Sequence, residues 1–93
     1  MSKVYKKWHL IDVRETIITV EDDHGKEFTI PTREIYEAHL ALNSDEITNK
    51  NVEPYISAKK NASPATAILH NIIGTGKSMR QLVEAMQRLR FKQ

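Results

Sequence analysis

The side chains able to do chemistry stand in three places. They are the neighbouring carboxylates Asp22 and Asp23, four histidines at positions 9, 24, 39 and 70, and the run Gly74-Thr75-Gly76-Lys77-Ser78. Paired carboxylates can move protons or hold a cation. Beside Gly25, however, their commoner work is to close a turn onto backbone amides. The histidines are far apart and no two share a helix at metal-ligand spacing, so no metal is expected. His39 and His70 fall on or near the apolar arcs of their helices and read as core residues, whereas His24 reads as a solvated turn residue. Cysteine is absent, which removes disulfides, thiolate zinc sites and thiol nucleophiles together and fits a cytoplasmic chain. No catalytic residue, cofactor or metal is nominated, and an enzyme is not expected.

The run at Gly74 to Ser78 resembles the end of a phosphate-binding P-loop. That motif requires glycine five positions before Gly76, where Asn71 stands, and its fold requires a later strand with a magnesium-binding aspartate. Fifteen residues follow Ser78, and Glu84 is the one acid among them. A working nucleotide hydrolase is therefore not expected. An anion site made of Gly74, Thr75, Gly76, Lys77 and Ser78 needs only free amides and one cation, and it competes with a plain inter-helix turn capped by glycine.

Charge is unevenly spread under a net +2. Residues 1–11 carry +3, residues 12–53 carry −7 and residues 54–93 carry +6. Glu21, Asp22 and Asp23 make an acidic hairpin surface. On the last helix Lys77, Arg80, Arg88 and Lys92, with Gln81 and Gln87, lie opposite the arc of Met79, Leu82, Val83, Met86 and Leu89, and only Glu84 interrupts them. Phe91 projects into this charged sector and Arg90 falls on the apolar side. A phosphate backbone suits such a stripe, with Phe91 stacking on a base. So does the bland alternative of a solvated face whose cations complement the helix dipole.

The elements that position these residues follow from periodicity. β-Branched and aromatic residues are dense from Trp8 to Ile30, and Asp22-Asp23-His24-Gly25 separates 16–21 from 26–30, which predicts a hairpin; Arg14-Glu15 makes an earlier bend. Thr32 is the expected cap of a helix over 32–43, and Ser44-Asp45-Glu46 looks like a further N-cap. A short helix over 52–60 tolerates Pro54 in its first turn, and Ser63-Pro64 opens a helix to Ile73. Gly74 to Gly76 stop that helix, and the basic helix runs over 77–90. The fold class is α+β in a single domain over 1–93: an antiparallel hairpin or meander at about 8–30, then three or four helices. The core is expected from Ile35, Leu40, Ile68, Leu69, Ile72, Leu82, Val83 and Met86.

Two resemblances cover parts of this order. The strands followed by a Gly-broken helix pair are similar to winged or helix-turn-helix modules. Ser63-Pro64, Ile68-Leu69, Gly74-Thr75, Met79, Leu82-Val83 and Met86 look like the late helices of death-fold adaptor domains, over about a third of the chain. The strands at 8–30 have no place in such a six-helix bundle.

Lys3, Lys6 and Lys7 are not followed by the apolar run of a secretory signal, and no stretch approaches the ~20 apolar residues of a membrane span, so no membrane partner is expected. The functional expectation is a non-enzymatic binding protein of regulator or inhibitor type that docks a larger protein or nucleoprotein through its charge-separated surface. In brevity and lack of motifs it resembles phage-encoded proteins that disable host factors. Direct nucleic-acid binding through Lys77, Arg80, Arg88, Arg90, Phe91 and Lys92 with the N-terminal lysines is the alternative, and capture of a phosphorylated ligand at Gly74 to Ser78 is the third. A homodimer is reasonable for so small a core, with Met79, Met86 and Phe91 as further apolar surface.

Overall fold

The computed structural model describes residues 8–91, with side chains through Leu89. Strands β1 (His9–Val13), β2 (Ile17–Glu21) and β3 (Glu27–Pro31) form one antiparallel sheet in the order β1-β2-β3. Helices α1 (Thr32–Ala41), α2 (Asn49–Val52), α3 (Ala62–Asn71) and α4 (Met79–Phe91) follow, with 3-10 turns at Ser44–Glu46, Glu53–Tyr55 and Lys59–Asn61. The α+β expectation holds, and the strands that exclude a six-helix bundle are present.

Alternation decides which face of the sheet is covered. Leu10, Val13, Ile18, Val20, Phe28 and Ile30 all point into the core. Thr29 and Glu27 look outward. A bulge between Leu10 and Asp12 leaves Ile11 as the extra residue of the edge strand, and it is 36% exposed. The hairpin turn forms as predicted: Gly25 takes φ +82, and Asp22 Oδ1 accepts bonds from the His24 and Lys26 amides, both at 2.9 Å. The Trp8 ring meets Phe28 edge-on, with centroids 5.4 Å apart, at the end of the buried face.

All the helices lie on the buried side. Helix α4 packs along β1, α1 packs on β2 and β3, and α3 packs on α1 and α2. The resemblance to a helix-turn-helix sets α3 against α4, whereas the principal neighbour of α4 is β1. Leu82 and Met86 from α4, Ile35 from α1 and Leu69 from α3 are fully buried together.

Several local expectations change. Thr32 does not cap α1; it is the first helical residue, and its buried hydroxyl donates to the Arg14 carbonyl at 2.7 Å, tying the helix to the β1–β2 turn. Leu40 is 45% exposed, because α1 buries Thr32, Ile35, Ala38 and His39, and at 100° per residue position 40 lies about 80° past the edge of that arc at Thr32. Asn43 rather than Ser44 caps the 3-10 turn, in a capping box with Glu46. The helix expected over 52–60 does not form: Val52 ends α2, and the 3-10 turns Glu53–Tyr55, with Pro54 in its first turn, and Lys59–Asn61 stand in its place. Helix α3 starts at Ala62, so Ser63 is inside it and caps nothing. Pro64 is then the third residue, still among the amides that lack a helical partner, so its missing N–H removes no bond. Asn61 precedes the helix and uses its amide elsewhere, donating from Nδ2 to the Thr29 carbonyl at 2.9 Å and fastening the β3 edge.

Candidate functional site

Helix α3 ends at Asn71 with Ile72 as its C-cap, two residues short of the expected Ile73. Gly74 takes φ +87, where a side chain is strained, in the following turn, which the Thr75 amide closes on the Ile72 carbonyl at 3.1 Å. The loop that follows turns back along α4. Ser78 opens α4 in a reciprocal cap: its hydroxyl accepts the Gln81 amide at 3.1 Å, and Gln81 Oε1 accepts from the Ser78 hydroxyl at 3.1 Å and the Ser78 amide at 3.4 Å. The Gln81 carboxamide lies over Gly76 so closely that a Cβ there would collide with it. A side chain at 76 would have to displace the end of the exposed Gln81 side chain, and the amides of Ser78 and Gln81 are already bonded within the cap.

His39 holds the loop from the other side. Its ring is buried, and Nε2 stands 3.3 Å from the Thr75 carbonyl and 3.4 Å from the Gly76 carbonyl. Carbonyls only accept, so Nε2 carries the proton and donates to them. The expectation that His39 is a satisfied core residue holds. His70 is exposed instead, since the inner arc of α3 is Ala65, Ile68 and Leu69. His24 is solvated beside Asp23, at 3.6 Å.

The loop and α4 together enclose a groove of about 420 Å3, lined by Ile73, Gly74, Thr75, Gly76, Gln81, Glu84 and Arg88. The glycine turn and the basic helix, consecutive in the chain, face each other across it. At 100° per residue Gln81 and Arg88 fall on one flank of α4 and Gln87 on the other. Gln87 Nε2 donates to the Val13 carbonyl at 3.2 Å, so it belongs to the β1 contact and not to the basic stripe. Arg80 pairs with Glu84 at 3.5 Å across one turn. Lys77 precedes the helix and is exposed; it and Arg88 make no ion pair among the described residues. The side chains of Arg90 and Phe91, and all of Lys92, lie outside the described residues, as do Lys3, Lys6 and Lys7.

Ile73 escaped the sequence reading. It is 49% exposed, the most exposed large apolar side chain among those described, while Ile72 beside it is 1% exposed. Two consecutive isoleucines at a helix end cannot both face one core, and that was the available signal.

On the sheet, Glu21 and Glu27 are direct cross-strand partners, a like-charge pair that costs stability. Asp23 is exposed, but Asp22 is only 5% exposed and serves the turn, so it is not part of an acidic surface. A smaller cleft of about 180 Å3, lined largely by apolar side chains, lies between sheet and helices at Trp8, Leu10, Val20, Ile68 and Leu89. No group of histidine and carboxylate side chains that could hold a metal occurs among the described residues. No helix there is long and apolar enough to cross a membrane. Comparison with protein-family models, with curated proteins and with solved structures finds no match to this chain.

Proposed function

We propose that this chain is a non-enzymatic binding module, a regulator or inhibitor that acts by docking on a larger protein or nucleoprotein partner. The observation that carries the reading is where the reactive side chains are used. Asp22 closes the hairpin turn, Ser78 and Gln81 close the α4 terminus, and His39 pins the loop before α4. What faces solvent without such work is a set of recognition groups: Ile73, Lys77 and Arg88 on the helical side, and Glu21, Asp23 and Glu27 at the hairpin end. Charges of opposite sign on separate elements steer and orient a partner more than they add raw affinity.

The test is a pull-down with the full chain as bait, with and without nuclease. A retained protein that survives nuclease and is lost when Glu21 and Asp23, or Arg80 and Arg88, are reversed in charge supports the reading. Direct nucleic-acid binding is favoured by the exposed cations of α4, Arg80 at 86% side-chain exposure among them. It predicts retention on labelled strands that falls steeply between ~50 and ~200 mM salt. Turnover of a substrate, abolished by one substitution, would replace both readings.

A further inference from the structure

The groove beside α4 combines features that together specify an occupant. One side of the groove is the segment Gly74, Thr75 and Gly76, where Gly74 has open space that lets another chain approach closely, while the Gln81 carboxamide covers Gly76. Its other wall is the Gln81, Glu84 and Arg88 flank of α4, about 10 Å from end to end at ~1.5 Å per residue, or the length of about three extended residues. Ile73 stands at one edge, about half exposed. His39 and the Ser78–Gln81 cap hold both walls in place before anything binds, so little ordering is left to the encounter.

The sign of the charge selects the occupant. Glu84 is the groove's one acid, and Arg80 already offsets it at 3.5 Å. Arg88 within the groove and Lys77 on the segment leading into α4 are left without an acidic partner among the described residues. A phosphate backbone would find few unpaired cations there, an acid in the middle and an isoleucine it cannot use. A peptide segment with a carboxylate and an aliphatic side chain uses the parts left open: the carboxylate on Arg88, the aliphatic group on Ile73, and the main chain over Gly74.

We infer that this groove is the docking site for an acidic, aliphatic segment of a partner protein, lying along α4 between Ile73 and Arg88. The inference rests on the protein-docking reading above and names the partner's chemistry at this one surface.

The test is fluorescence anisotropy of the full chain with labelled probes. These are an acidic peptide alternating glutamate with leucine, a basic peptide with lysine in place of glutamate, a serine-glycine peptide and a single-stranded oligothymidine of equal charge. The acidic peptide is expected to bind best, and Arg88→Glu and Ile73→Ser are each expected to weaken it roughly tenfold. Glu84→Gln is expected to strengthen it. Both Ile73 and Arg88 are exposed, so unchanged thermal melting of these variants separates loss of binding from loss of fold. Equal affinity for the acidic and serine-glycine peptides overturns the inference. So does tighter binding of the basic peptide or of oligothymidine, or acidic-peptide affinity unchanged by Arg88→Glu. A nuclease-resistant partner that survives Arg88→Glu and Ile73→Ser in the pull-down would leave protein docking standing and move it off this groove.

Discussion

Asp22 keeps a carboxylate at 5% exposure because Oδ1 receives two backbone amides, from His24 and Lys26, that the tight turn would otherwise leave unpaired. Its neighbour Asp23 is exposed, with only a histidine 3.6 Å away. Asp22→Ala should therefore lower stability by about 1–3 kcal/mol, while Asp23→Ala stays within about 0.5 kcal/mol. Urea unfolding of the two variants compares them, and equal losses would show that the turn is not held by Asp22. The same contrast exists at residues 72 and 73. Ile72→Ala should cost about 2–5 kcal/mol and Ile73→Ala almost nothing, although one reading of hydrophobicity scores them alike.

At the scale of elements, the two glycines between α3 and α4 differ in what their positions demand. Gly74 is needed for its own φ of +87, whereas a side chain at Gly76 has only to push aside the Gln81 carboxamide, the movable end of an exposed side chain. Gly74→Ala should cost about 1–2 kcal/mol through backbone strain alone. Ser78→Ala removes the helix cap and should cost about 0.5–2 kcal/mol. Amide exchange across 73–82 reads both. Ser78→Ala is expected to speed exchange at Gln81, whose amide loses its acceptor, and to leave the β2–β3 hairpin unchanged. The cap itself was legible as Ser-x-x-Gln before an apolar run, and the sequence reading passed it over in favour of the resemblance to a phosphate loop. Ser63-Pro64 misled in the opposite sense. A good cap signal lost to Asn61, whose amide fastens β3 while a 3-10 turn feeds the helix one residue before Ser63.

Across the whole molecule, one core joins the sheet to α1, α3 and α4, and Leu82 is fully buried in it. Leu82→Ala should cost about 2–5 kcal/mol, a large share of the stability of so small a domain, measured by thermal unfolding. The apolar surface invoked for a homodimer is reduced: Met86 is fully buried and Met79 is packed partly against the core. Among the described residues the exposed large apolar side chains, Ile11, Ile17, Leu40 and Ile73, come from β1, β2, α1 and the loop before α4. By itself the sequence determined the α+β class, the hairpin with its turn, the approximate helices and most of the core, because alternation, helical periodicity and turn residues are local properties of a chain. It could not determine that Leu40 faces water, that Gln87 serves β1, or that the glycine turn and Arg88 share one groove. Those depend on how far each helix is rotated when it meets the sheet, and that rotation is set by packing between residues distant in the chain.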